Sequence, residues 1–184
     1  MTMKRKTAKE ILAESFRELA ANKSFDKITV RDITGNCGYS PATFYRQFKD
    51  KYDLIAWEYA VRTEEILDRA GAGSGEWKQT LLDTAYRYRD EKDYLANLLL
   101  HTSGHDSFVQ YMTEINTREL TRFIKRITSS AHMDRKMEMY IRLYCMGTAC
   151  LSCEWILGKY TVSPEEMAEI YENAVPAPLQ LLLQ

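Results

Sequence analysis

The chain has 184 residues, 45% apolar and 28% charged, with 25 Lys and Arg against 26 Asp and Glu for a formal net charge of −1. Twelve Tyr, six Phe, eight Met and three Trp supply a core, which excludes a disordered chain and a disulfide scaffold. No apolar run approaches the ~20 residues of a membrane span, and the basic start runs into an amphipathic segment, unlike a secretory signal. A cytoplasmic setting is expected, with Cys37, Cys145, Cys150 and Cys153 reduced.

Apolar residues recur at three- and four-residue spacing along the chain and alternating strand patterns are missing, so the expected class is all-α. A first helix runs from about Thr7 to Ala21, its inner stripe made by Ile11, Leu12, Ser15, Phe16, Leu19 and Ala20. Thr29, with Asp32 three positions on, starts a short second helix that Gly38 ends. Ser40 and Pro41 start a third of about two turns, with Phe44 and Phe48 inward. Asp50 and Asp53 open a longer fourth, carrying Leu54, Ile55, Trp57, Val61 and Ile66. Gly71 to Gly75 reads as a loop. Further helices are expected near 76–89, 92–101, 105–128 and 134–158. A last one is capped by Ser163, Pro164 and Glu166 and broken near Pro176 and Pro178. The division expected is a head, 1–50, and a body, 51–184.

The charge is unevenly spread. Residues 1–60 carry eleven Lys or Arg against eight Asp or Glu, whereas the remainder carries fourteen against eighteen. A basic head on an acidic body suits a nucleic-acid-binding module joined to a non-binding one.

Two short helices around the tight turn at Gly38, Tyr39 and Ser40 form a helix-turn-helix pattern, in which the second helix enters the DNA major groove. Pro41 and Ala42 are small enough for close approach, and Thr43 offers a hydroxyl and a methyl to base edges. Tyr45 and Arg46 follow on the outer face with reach to bases or phosphates, and Tyr39 can touch a phosphate. Thr29 and Ser40, at helix starts, and Lys51, opening the next helix, are the remaining phosphate candidates.

On these residues, from the first amphipathic helix through Thr43-Phe44-Tyr45-Arg46-Gln47-Phe48 to Lys51 and Leu54, the sequence resembles the TetR family of transcriptional regulators. Cys37 and Tyr39 depart from the residues usual beside the turn. The tail around Gly147, Glu154-Trp155-Ile156-Leu157-Gly158 and Ser163-Pro164-Glu165-Glu166-Met167 is similar to the branch that includes dihydroxyacetone kinase regulators. The resemblance implies an all-α fold with a three-helix head and a helical-bundle body. It also implies a homodimer on a near-palindromic double-stranded operator, under control of a small-molecule effector. Most members repress; the alternative is a co-regulator or activator of the dihydroxyacetone kinase type, acting with a protein or metabolite partner.

In the body, polar aromatics suggest an effector pocket at Tyr88, Asn97, His101, His105 and Tyr111. Tyr140, Tyr144, Leu151 and Trp155 are the candidates for a dimer seam. His101 and His105 stand four apart, but Gly104 between them argues for a loop rather than a metal pair. Cys150-x-x-Cys153 lacks a second pair, and packing explains it better than zinc or redox chemistry. No oriented nucleophile, phosphate-cradling loop or carboxylate pair is present, so no catalytic site, cofactor or metal is expected.

Overall fold

The computed structural model describes residues 6–70, 74–104, 107–130 and 132–183. Among them are ten α-helices and no strand: α1 (Ala8–Ala20), α2 (Val30–Asn36), α3 (Pro41–Gln47), α4 (Lys51–Arg69), α5 (Ser74–Asp90), α6 (Lys92–Leu100), α7 (Phe108–Ile127), α8 (Arg135–Ile156), α9 (Pro164–Asn173) and α10 (Ala177–Leu183).

Helix starts follow side-chain chemistry. Thr7 with Glu10, Thr29 with Asp32 and Ser163 with Glu166 make complete capping boxes, while Ser40, Asp50 and Asp134 each accept a first-turn amide. Two helix ends are set by glycine. Gly38 has φ +73, and the Tyr39 and Gly38 amides donate back to Thr34 O at 2.8 Å and Gly35 O at 3.4 Å. Gly158 has φ +80, with Lys159 and Gly158 bonded to Glu154 O and Trp155 O at 2.9 Å each. Both are left-handed closures that a Cβ would strain, and they satisfy the last carbonyls of α2 and α8.

Three boundaries differ from the sequence reading. Ser74 and Gly75 already belong to α5, and 71–73 lie outside the described residues. The seventh helix begins at Phe108, where the Phe108 amide donates to Thr102 Oγ1 at 2.8 Å. Pro176 and Pro178 separate α9 from a short further helix, Pro178 falling in the first turn of α10, where a missing N–H is harmless.

In the head, α1, α2 and α3 close over Leu12, Phe16, Phe25, Ile28, Ile33 and Phe44. Ser15, which the periodicity places among apolar neighbours, is buried because its hydroxyl donates to Ile33 O at 2.7 Å and pins α1 to α2. In the body, α4 packs on α7, α7 on α8 and α5 on α9. The α4–α7 contact is edged by Arg122 Nη1 to Glu64 at 2.6 Å and Arg126 Nη1 to Asp68 at 2.8 Å. Head and body share one continuous core running through Leu54, Ile55, Tyr59, Leu95 and Leu98.

Candidate functional site

The short α3 buries Phe44 and turns its other faces outward. Ser40, Pro41, Ala42, Tyr45 and Arg46 are exposed, Tyr45 at 61%, while Thr43 and Tyr39 are half-buried. Hydrogen bonds already order this surface: Ser40 Oγ lies 3.1 Å from Thr43 Oγ1, which accepts from Arg46 Nη2 at 3.1 Å. The Tyr45 ring rests edge-on against Phe44, with 5.5 Å between centroids. Exposed Lys27, Arg31 and Lys49, which sequence reasoning passed over, flank α2 and α3 and form no ion pair among the described residues. Their signal in the sequence was only the charge surplus of the first sixty residues.

Two expected phosphate ligands have other work in this structure. The Thr29 amide donates to Asp32 Oδ2 at 2.8 Å and its hydroxyl accepts the Asp32 amide at 3.1 Å, so the capping box takes the amide and one lone pair and leaves the O–H to donate. Lys23 Nζ, 2.7 Å from Asp32, and the Thr29 amide hold the Asp32 carboxyl down to about 2. Lys51 Nζ donates to Phe25 O at 2.8 Å, Ile28 O at 2.9 Å and Asp26 O at 3.1 Å, beneath the Phe25 ring. An ammonium has three hydrogens, and here all three are used in stapling α4 to the turn between α1 and α2.

In the body, a cavity of about 80 Å³ opens among α4, α5, α7, α8 and α9. Leu67, Leu81 and Leu120 give it an apolar wall, and Thr80, Thr84, Thr148, Arg87 and Asn116 give it polar points. This composition suits a small ligand fixed by a few polar groups. Burial pushes the phenols of Tyr88, Tyr144 and Tyr171 upward, so they line it as neutral hydroxyls, and the Cys145 thiol is pushed up to about 12.

Of the expected pocket residues, Tyr88 lies on this cavity and three others do not. Asn97 joins α6 to the head: its Nδ2 donates to Ala20 O and Lys23 O at 2.9 Å each, and its Oδ1 accepts the Phe25 amide at 2.8 Å. His101 ends α6 with Nδ1 3.3 Å from Asp26 of the head. Tyr111 is half-buried on α7, away from the cavity lining, and His105 lies outside the described residues.

The outward apolar stripe of α8 also has a different register from the one expected. Tyr144 is buried with its hydroxyl donating to Tyr171 O at 2.9 Å, and Trp155 is buried with Nε1 donating to Val162 O at 3.1 Å. Leu151 is half-buried, and Tyr140 alone of the four is exposed, at 39%. Beside Tyr140, Met139, Leu143, Met146 and Cys150 are exposed and form one helical stripe at spacings of four, three and four. No group of three or more His, Cys, Asp or Glu suited to a metal is found among the described residues. Within the same residues, no helix is long and apolar enough to cross a membrane.

Residues 12–56 match the family model for bacterial regulatory proteins of the tetR family, and residues 75–176 match a transcriptional regulator C-terminal region. An HTH-type transcriptional regulator of Haemophilus influenzae is 23% identical over 144 residues, covering 75% of this chain and 69% of its own. Among solved structures, the dihydroxyacetone kinase operon activator DhaS is similar at 16% identity and TM-score 0.63, over 96% of this chain and 98% of its own. A TetR regulator from Rhodococcus sp. RHA1 is similar at 12% identity and TM-score 0.68, over 92% and 97%. Thermus thermophilus FadR, a TetR-family repressor solved with lauroyl-CoA, is similar at 15% identity and TM-score 0.59, over 91% and 92%. At these identities the structures show a common fold, and with the two family matches they establish that this chain belongs to the TetR family of transcriptional regulators.

Proposed function

We propose that this regulator is a homodimeric repressor that reads a near-palindromic operator with α3 and is released by a small molecule bound in the body cavity. The observation that carries the reading is the hydrogen-bonded surface of exposed Ser40, Tyr45 and Arg46 around half-buried Thr43, on a helix held by Phe44 and with unpaired cations beside it. Such a surface offers base-edge donors in its centre and phosphate charge at its rim. Lys27, Arg31 and Lys49 take the phosphate role first assigned to Lys51, beside the Thr29 hydroxyl. The head is residues 1–50 and the body 51–184, with the cavity on the body side.

One head spans one half-site, so specificity needs a second copy at fixed spacing. The α8 stripe supports a second copy as its occupant: Met139 and Leu143, at 65% and 66% exposure, form an apolar strip that a lone subunit leaves in water. The negative sign of regulation follows the Thermus relative described as a repressor. The activator DhaS, of the same fold, supports the opposite sign as a second reading, with a protein or metabolite partner in place of simple release.

The test is a mobility shift of the purified protein on DNA upstream of its own gene at two salt concentrations, with Tyr45→Ala and Arg46→Ala as variants and a promoter fusion to give the sign. Specific binding that falls steeply with salt and is lost in both variants is the expected result. A folded dimer that shows only salt-sensitive, sequence-blind binding would refute it.

A further inference from the structure

We infer that the body cavity takes a three-carbon hydroxycarboxylate, its carboxylate held by Arg87; this rests on the proposal that the cavity is the effector site. Size comes first. A cavity of about 150 Å³ takes benzene, so the 80 Å³ present, roughly half of that, suits a ligand of only a few non-hydrogen atoms. A three-carbon acid is at the upper end of that size and an acyl-CoA is far beyond it.

Charge comes next. Arg87 faces the cavity on one side and, on the other, a cluster in which Arg17, Arg62 and Arg87 meet only two carboxylates, Glu58 and Glu91. Arg87 stacks over the Tyr59 ring, 4.7 Å from its centroid, but makes no close ion pair. Its Nε lies 3.3 Å from Glu91, Nη1 lies 3.4 Å from Thr63 Oγ1, and Nη2 has no acceptor among the described residues. Arg17 and Glu58, by contrast, pair at 2.6 Å. A largely buried guanidinium in a cluster with one surplus positive charge favours an anion.

Hydrogen-bond direction decides the rest of the ligand. Thr80, Thr84 and Thr148 each donate to the carbonyl four residues back, at 2.8, 2.8 and 2.9 Å, so toward the cavity they offer lone pairs that accept from a ligand hydroxyl. On the donor side, Trp77 lines the cavity at 4% exposure, and its Nε1–H has no acceptor among the described residues. Asn116 uses its Oδ1 to accept from Tyr59 and leaves Nδ2 to donate. The lining therefore offers donors for a carboxylate beside acceptors for hydroxyls, which a bare fatty acid would leave unpaired.

Binding has a route to the head. Glu91 is shared by Arg87 of the body, at 3.3 Å, and Arg17 of α1, also at 3.3 Å. A ligand carboxylate that draws Arg87 away leaves Glu91 to Arg17 and Arg62, shifting the contact of α1 with the start of α6.

The experiment is calorimetry at two temperatures on the full-length protein with lactate and glycerate, both enantiomers of each. Propane-1,2-diol and glycerol serve as neutral counterparts, and operator binding is measured in parallel. At least one acid binds ten-fold or more tightly than its neutral counterpart; Arg87→Met abolishes that preference and Arg87→Lys preserves it. Glu91→Gln keeps the acid bound but weakens its effect on operator affinity. Equal or absent binding of acid and diol, or a preference that survives Arg87→Met, overturns the inference while operator binding stands. Full operator release in Glu91→Gln overturns the route to the head. Failure of the ligand-free protein to bind its operator overturns the proposed function itself, whatever calorimetry shows.

Discussion

Replacing Asn97 tests how the head is attached to the body. Its carboxamide makes three bonds to main-chain groups of the head: two donated to Ala20 O and Lys23 O at 2.9 Å, one accepted from the Phe25 amide at 2.8 Å. At about 1 kcal/mol for each bond, Asn97→Ala costs about 3 kcal/mol. For a chain of this length that is a fall in Tm of roughly 6–12 °C. Asn97→Asp separates the contributions. The new side chain still accepts from Phe25 but sets a carboxylate oxygen against two carbonyl oxygens, so it costs more than alanine despite its near-identical shape. Because those carbonyls favour the protonated acid, the Asp variant regains stability as pH falls, whereas the Ala variant does not. Urea unfolding followed by circular dichroism, with the slope m unchanged, measures both. A cost below about 1 kcal/mol for Asn97→Ala, or an Asp variant milder than the Ala variant, would refute the reasoning.

Lys51→Met removes the staple between α4 and the α1–α2 turn, so it lowers stability by about 2 kcal/mol while leaving the salt slope of operator binding unchanged; a slope lower by about one would make Lys51 a phosphate ligand after all. Leu143→Glu puts a charge in the exposed stripe of α8 and converts a dimer to a monomer in sedimentation with little change in helicity. In the proposed dimer, Cys150 is expected to be shielded from iodoacetamide and to become reactive in Leu143→Glu, while Cys145 and Cys153, buried with thiols pushed up to about 12, stay unmodified in both. Asp32 is ionised down to about 2, first because of Lys23, against 3.8 for a free carboxyl, so its stabilisation is complete above pH 3.8 and is lost toward pH 2. The stability difference between wild type and Asp32→Asn, measured by thermal unfolding across pH 2–7, is therefore flat above about pH 4 and shrinks below it.

The head was legible because local chemistry specifies it. Thr7, Thr29, Ser40 and Asp50 are caps whose partners lie within three residues, and Gly38 ends α2 by a conformation that only glycine adopts cheaply. The body was legible as helices but not as surfaces. Helix α8 is apolar on two faces, and periodicity gives a spacing without saying which stripe meets the core. Tyr144 and Trp155 turned inward because each had a carbonyl to bond, at Tyr171 and Val162, which lie far along the chain or in a loop. The same reason hid the roles of Asn97 and Lys51. A free-looking lysine at a helix start and a carboxamide among tyrosines give no sign of partners 26 and about 70 residues away.

These hidden contacts share one location, and that bears on mechanism. Asn97, His101 and Lys51 all converge on the stretch 20–28 between α1 and α2, and Glu91 and Glu58 reach Arg17 one turn earlier. The head is therefore fastened to the body by polar groups whose geometry is directional. A rotation of α6 or of the end of α5 relative to α4 cannot leave all of these bonds intact, so the junction has discrete arrangements rather than a continuous hinge. Since any effect of the cavity on the operator must equal the effect of the operator on the cavity, weakening this junction must reduce both together. Asn97→Asp, in a background stable enough to stay folded, would therefore lower the operator's influence on ligand affinity by the same factor as the ligand's influence on operator affinity. A coupling factor left unchanged by Asn97→Asp, measured by paired titrations at equilibrium, would mean that the two sites do not communicate through this junction.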